Sequence, residues 1–242
     1  MKFALIGYPV AGSLSPRLFE AAYGGRYPYD LIEKPAFEAA WECFLAGYDG
    51  CNVTAPFKQD AFNRVNHLSE NALATGAVNL VTRSGEGTTG YNTDVDGVAG
   101  AVREAGYPVS EALIVGAGGA ARAAAVAAIR LGCRVTITNR TLSKAEALAD
   151  TLGCRAIPLT DMDSLTPDLV VYTLPGSVPL PLPTEIFRKA VILEAEYKHP
   201  VLVDMPCRAY LGGRRWLLWQ AVAGYELFTG EQPDVKKMSA VL

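Results

Sequence analysis

Short apolar runs rich in β-branched and aromatic residues alternate along the chain with stretches whose apolar positions recur at helical spacing. Phe3 to Ile6 reads as a strand. Phe37, Ala40, Trp41, Phe44 and Leu45 then share one helical face and stop at Gly47, which suits the C′ position of a helix. Gly50 to Thr54 reads as a second strand, and Pro56 is placed to open a helix, because the first turn does not need the N–H that proline lacks. This alternation predicts an α/β protein with a largely parallel sheet covered by helices.

A second unit of the same kind begins near residue 110. Ala112 to Val115 is a short apolar strand, GAGGAARA follows at once, an alanine-rich helix runs to about Leu131, and Arg134 to Thr138 reads as the next strand. The stretch from Thr173 to Pro183 holds four prolines and ends any regular element there. Trp216 to Phe228 has the composition of a closing helix. No solenoid-period repeat and no low-complexity tract interrupts the pattern.

Composition narrows the functional classes. A hydrophobic fraction of 50% over 242 residues supplies buried cores for one large domain or two small ones. The 22 Lys and Arg against 25 Asp and Glu leave a net charge of -3, which offers no long-range attraction to nucleic acid or an anionic membrane. A small-molecule partner is expected. Five cysteines, odd in number and never spaced C-x-x-C, fit neither a disulfide framework nor a zinc site. They suggest reduced thiols in a cytoplasmic protein with no bound metal. The apolar stretch Phe3 to Ala11 is broken by Gly7 and Pro9 too early for a secretory signal, and Ala123 to Leu131 is too short to span a bilayer.

The glycine turn carries the first chemistry. Gly116, Gly118 and Ala121 make a G-x-G-x-x-A pattern between a strand and a helix. Gly116 allows the tight turn, Gly118 lets backbone approach a pyrophosphate, and Ala121 is small enough for close helix–strand packing. Gly119 and Ala120 open the helix, whose free N–H groups face the phosphates. NAD sites place a carboxylate about 20 residues past the first glycine to bind the ribose hydroxyls. Here the chain reads Asn139, Arg140, Thr141, with Lys144 one turn later. A cation stands where the acid belongs, which points to the 2′-phosphate of NADP. The alternative is a solvated Arg at a strand end, with Thr141 or Ser143 capping the next helix.

Seven ordered clusters resemble the signatures of the shikimate dehydrogenase family. They are GYPVAGSLSP (Gly7 to Pro16), CNVTAPFK (Cys51 to Lys58), GAVN (Gly76 to Asn79), YNTDVDG (Tyr91 to Gly97), GAGGAARA, NRT (Asn139 to Thr141) and WLLWQA (Trp216 to Ala221). The resemblance implies an N-terminal α/β substrate domain over residues 1–98, a Rossmann-type doubly wound NADP domain over 99–213, and a C-terminal segment, 214–242, returning to the first domain. It implies NADP-dependent, reversible reduction of 3-dehydroshikimate to shikimate, on the route to chorismate and the aromatic amino acids, by a monomer or homodimer.

By the same resemblance Ser13 and Ser15 bind the substrate carboxylate, while Thr54, Asn79, Tyr197 and Gln220 complete the substrate site; the alternatives for Thr54, Asn79 and Gln220 are a strand-end Thr, a turn Asn and an exposed helical Gln. Ser15 before Pro16 also reads as a helix N-cap. Lys58 and Asp94 match the catalytic pair: a carbonyl that accepts hydride develops alkoxide character and needs a proton donor or cation, which lysine supplies. Alternatives are a surface lysine and an Asp that caps the helix following it. The chain departs from the family at Tyr172, Thr173, Leu174, Pro175, Gly176, where relatives have N-A-T-S-x-G-M, and at Tyr197, Lys198, His199, Pro200, where Y-x-P is one residue out of step. A quinate or aminoshikimate dehydrogenase, or a ligand sensor without turnover, stays open as an alternative. His67 and His199 show no partner pattern and are expected to face solvent.

Overall fold

The computed structural model describes residues 1–177 and 183–242. Residues 178–182, the later part of the proline-rich stretch, lie outside the described residues. The chain divides into two compact units, residues 1–93 with 220–242, and residues 94–219.

The first unit contains β1 (Phe3–Gly7), α1 (Ser15–Tyr23), β2 (Tyr29–Glu33), α2 (Phe37–Gly47), β3 (Gly50–Val53), α3 (Lys58–Arg64), β4 (His67–Leu68), α4 (Glu70–Thr75), β5 (Leu80–Ser84) and β6 (Gly87–Tyr91). Its sheet runs β2-β1-β3-β5-β6-β4. Strand β1 is parallel to β2 and β3, but β5 is antiparallel to both β3 and β6. This half is therefore mixed rather than largely parallel. Only Gly85 and Glu86 separate β5 from β6, and so short a link permits a hairpin but no crossover.

Both faces of β1 are covered, so all five of its residues are buried. Ala4 and Ile6 pack with Trp41, Phe44 and Val53, and Phe3 stacks on Phe228 and meets Phe19. Helix α2 buries Ala40, Trp41 and Phe44 of the predicted face, whereas Phe37 is half-buried and Leu45 is exposed. Two expectations about its surroundings fail. Gly47 is the last helical residue, and the chain leaves through Tyr48 in extended conformation, so no left-handed glycine ends the helix. Pro56 lies inside a turn closed by Phe57 N–H donating to Thr54 C=O at 3.0 Å, so α3 starts at Lys58 instead.

The second unit contains α5 (Asp94–Ala105), β7 (Glu111–Val115), α6 (Gly119–Arg130), β8 (Arg134–Thr138), α7 (Leu142–Leu152), β9 (Arg155–Ile157), a 3-10 turn (Leu159–Ser164), β10 (Leu169–Tyr172), α8 (Thr184–Phe187), β11 (Val191–Glu194), β12 (Ala209–Leu211) and the start of α9 (Gly213–Thr229). The later part of α9 and α10 (Val235–Ala240) belong to the first unit. All five ladders of the second sheet are parallel, in the order β12-β11-β10-β7-β8-β9. Counted from β7, that is the 3-2-1-4-5-6 order of the doubly wound dinucleotide fold. Leu113, Val170, Ile192 and Phe187 are among the residues of its core. Among the described residues no helix is long and apolar enough to cross a membrane, and no group of His, Cys, Asp and Glu is arranged to hold a metal ion.

Candidate active site

In the second unit the strand order reverses between β7 and β10, and ligands of open α/β sheets bind at that switch point. Gly116 leaves β7 with φ +124°, and a Cβ there would lie 2.2 Å from Thr173 Oγ1, so the turn needs glycine on both counts. Gly118 is the N-cap of α6. A Cβ at Gly118 or Gly119 would meet nothing within 4 Å, so these two positions leave open space over the first turn, which is what an approaching phosphate requires. Ala121 is fully buried against the sheet, whereas Ala120 is exposed on that turn.

A cavity of about 360 Å³ opens there. Gly118, Asn139, Arg140, Thr141 and Lys144 line it, with Ala117, Thr173, Leu174 and Pro175. Asn139 Nδ2 donates to Thr141 C=O at 3.0 Å and shapes the turn that carries Arg140. Thr141 is the N-cap residue of α7 without a side-chain capping bond, so the capping alternative for this turn does not hold for Thr141. Among the described residues no carboxylate lines the cavity and two cations do. That donor set fits a nucleotide with an extra phosphate on the ribose. The segment that departs from the family pattern borders the same cavity: Thr173 donates from both N–H and Oγ1 to Val115 C=O at 2.9 Å, which pins it to the end of β7.

The first unit holds the other candidates. Ser13 and Ser15 follow β1 in a loop whose Val10 and Ala11 N–H groups both donate to Glu33 Oε2 at 2.8 Å. Ser13 Oγ lies 3.2 Å from Ser15 Oγ and also accepts from Ser15 N–H. Leu14 is the N-cap residue of α1 and Ser15 its first helical residue, so the capping role expected of Ser15 fails; the hydroxyl that accepts a backbone N–H here is that of Ser13. A Cβ at Gly7 would lie 2.4 Å from Thr54 Cγ2, which places Thr54 beside the start of the serine loop. Lys58 opens α3 half-buried, and its C=O accepts from Val78 N–H at 3.0 Å, next to Asn79. Asn79 and Gln220 meet through Thr93: Thr93 N–H donates to Asn79 Oδ1 at 2.8 Å, and Thr93 Oγ1 lies 3.2 Å from Gln220 Oε1.

Asp94 and Tyr197 belong to the second unit. Asp94 is the first residue of α5. Tyr197 sits in the loop after β11, and two carboxylates order that loop. Glu194, fully buried, accepts from Val201 N–H at 2.7 Å, Leu202 N–H at 3.1 Å and the Tyr210 hydroxyl at 2.7 Å. Glu196 accepts from Lys198 N–H at 2.7 Å and His199 N–H at 3.3 Å. The Lys198 bond, ahead of the others, holds the Glu196 carboxyl below the usual carboxylate range. Burial first, then Glu194, pushes the Tyr210 phenol up, so it stays a donor at neutral pH. His67 and His199 are both exposed.

Sequence reasoning missed Glu33, Thr93, Glu194 and Glu196. Thr93 lay in plain view inside YNTDVDG, but the glutamates are single acids with no spacing signal.

A parallel sheet in this order, with a glycine turn opening onto a cation-lined cavity at its switch point, defines a dinucleotide-binding α/β protein. The chain belongs to the shikimate dehydrogenase family. Residues 5–81 match the shikimate dehydrogenase substrate binding domain, and residues 101–205 match the shikimate / quinate 5-dehydrogenase domain. The chain is 37% identical to a shikimate dehydrogenase (NADP(+)) from Haloarcula marismortui, over 99% of this chain and 97% of that one. Its fold is similar to that of shikimate 5-dehydrogenase from Thermus thermophilus in complex with NADP(H) and shikimate, with TM-score 0.89 and 31% identity over 100% and 98% of the two chains. It is also similar to quinate dehydrogenase from Corynebacterium glutamicum in complex with NAD, with TM-score 0.86 and 27% identity over 100% and 98%.

Proposed function

We propose that this protein catalyses the NADP-dependent, reversible reduction of 3-dehydroshikimate to shikimate. The observation that carries the cofactor choice is the cavity beyond β8, where Arg140 and Lys144 stand and no carboxylate competes for the ribose. NADPH, when bound, supplies the hydride. The protein's own groups then do the rest. Gly116, Gly118, Gly119, Ala120 and Ala121 form the pyrophosphate turn, and Asn139, Arg140, Thr141 and Lys144 bind the phosphorylated ribose. Ser13 and Ser15 hold the ring carboxylate; Thr54, Asn79, Gln220 and Tyr197 hold its oxygens.

Lys58 Nζ gives a proton to the oxygen on which alkoxide character develops, and in the reverse direction takes it back. Asp94 supplies the carboxylate of the catalytic pair. The half-burial of Lys58 and Asp94 supports these roles, since partial exclusion of water strengthens charge interactions. The reading extends to a cytoplasmic location, which the five free cysteines accord with.

Initial rates of NADP+ and NAD+ reduction with shikimate and with quinate test it directly. Shikimate with NADP+ is expected to be the fastest pair. Faster turnover of quinate with NAD+ would instead make this chain a quinate dehydrogenase, like the Corynebacterium relative, and would remove Arg140 from its role. No turnover of either substrate with either cofactor would favour a sensor.

A further inference from the structure

Glu194 ends β11 and is the one charged side chain buried among the described residues. A carboxylate shut away from water is costly unless donors surround it. Here both oxygens meet donors: Oε1 takes the Val201 N–H at 2.7 Å, and Oε2 takes the Leu202 N–H at 3.1 Å and the Tyr210 hydroxyl at 2.7 Å. Tyr210 lies on β12, paired with Ile192 of β11. The carboxylate therefore ties the chain seven and eight residues further on back over the end of its own strand.

The excursion over residues 195–200 is pinned along its length. Ala195 N–H donates to Tyr172 C=O at 2.8 Å, and the Glu196 carboxylate accepts from Lys198 and His199 N–H. A Cβ at Gly213 would lie 2.3 Å from Ala195 O, and one at Gly176 would lie 2.4 Å from His199 O, so glycine lets backbone approach backbone on two sides of the loop. Leu202, 1% exposed, then enters the core with Leu113 and Val170. Tyr197 is half-buried in the middle of this loop, at the C-terminal edge of the parallel sheet, where ligands of such sheets bind.

We propose that Glu194 is a positioning residue for Tyr197: its carboxylate fixes the return limb of the loop at Val201 and Leu202, and with it the course of the residues that carry the tyrosine. Shikimate binding then depends on a buried acid that is itself out of reach of the ligand. This inference rests on the shikimate activity and the role of Tyr197 proposed above.

Steady-state kinetics and hydrogen exchange of the full chain test it. Glu194→Gln keeps the shape but, whichever way the amide turns, sets its NH2 against a loop N–H. It should raise KM for shikimate by about tenfold, the weight of one hydrogen bond, and change kcat by less than about twofold. Amides of residues 195–205 should exchange faster, while β7 and α6 keep their protection. Tyr197→Phe alone should raise the same KM, and adding Glu194→Gln to it should raise KM little further, because the hydroxyl being positioned is already gone. Effects that multiply in the double variant would make Glu194 a purely structural residue and overturn the inference. An unchanged KM in Glu194→Gln despite a loosened loop overturns it too, as does an unchanged KM in Tyr197→Phe. Where Glu194→Gln fails to fold, Tyr210→Phe takes one donor from the same carboxylate; it should raise KM for shikimate about threefold and show the same non-additivity with Tyr197→Phe, and independence of the two overturns the inference equally. A wild-type chain that oxidises no shikimate overturns the functional reading and this inference with it, whereas turnover without coupling between residues 194 and 197 overturns the inference alone.

Discussion

The two units place the polar groups of their proposed ligand sites in opposite ways. The first buries Asn52, Thr75, Asn79, Thr88, Asn92 and Thr93, while the second buries only Thr138 and Glu194 among the described residues. In the second unit the proposed ligand surface is made by leaving side chains out, at Gly118 and Gly119, and by placing exposed cations at the rim of a cavity. In the first it is made from amides and hydroxyls that are locked to one another and to the backbone. A buried polar group costs stability when its partner is lost, whereas an exposed cation can be removed with little structural consequence. The first unit therefore ties specificity to stability, and the second keeps them apart.

Four substitutions sharpen or break that contrast. The largest effect is expected at Lys58, where chemistry rather than binding is at stake. Lys58→Ala should lower kcat by about 10² to 10⁴-fold, the range for a positioned general acid or base, with a much smaller change in shikimate affinity. Asp94→Asn should depress kcat as well, and the double variant should be no worse than the poorer single one if the pair acts as a unit. Near-normal kcat with lost binding would make Lys58 a substrate anchor instead.

Arg140→Ala probes the second unit. It should weaken NADPH binding by roughly tenfold or more, leave NADH binding nearly unchanged, and shift stability by no more than about 0.5 kcal/mol. Calorimetric titration with both nucleotides, beside a denaturant melt, reads all three. Equal loss for the two nucleotides would remove the 2′-phosphate assignment.

Asn92→Ala probes the first unit away from the proposed ligand contacts. Asn92 Nδ2 donates to Thr75 Oγ1 at 2.8 Å and to Ala77 C=O at 3.0 Å. Removing it strands buried acceptors and should destabilise by about 1 to 3 kcal/mol. A urea melt as stable as the wild type would mean that this polar mesh relaxes freely, and the contrast between the units would fall.

Much of the second unit was legible along the chain, because each of its signals is local. The strand at Ala112 to Val115, the glycine turn, the helix to Arg130 and the strand from Arg134 to Thr138 lie within 27 residues, and a parallel βαβ unit has few ways to close. Arg140 was visible for the same reason: its distance from Gly116 is set by one helix and one strand. The antiparallel half of the first sheet was not. Strand β5 pairs with β3 across α3, β4 and α4, and nothing in its sequence says which neighbour it takes. The division of the chain at residues 219/220 falls inside α9, with no shift of composition to mark it.

By itself the amino-acid sequence determined the α/β class, the nucleotide turn, the absence of an acid after β8 and the residue types available for catalysis, because periodicity, glycine placement and motif spacing are properties of short stretches. Only the tertiary structure decided what each polar group faces. It made Leu14 rather than Ser15 the N-cap residue of α1, put Glu33 beneath the serine loop, joined Asn79 to Gln220 through Thr93, and set Glu194 and Glu196 in the loop that carries Tyr197. Those pairings link residues as many as 141 positions apart (220 − 79), and they depend on which end of an amide or carboxylate meets which donor. Donor and acceptor geometry at that range is set by the packing of whole elements, and no local pattern encodes it.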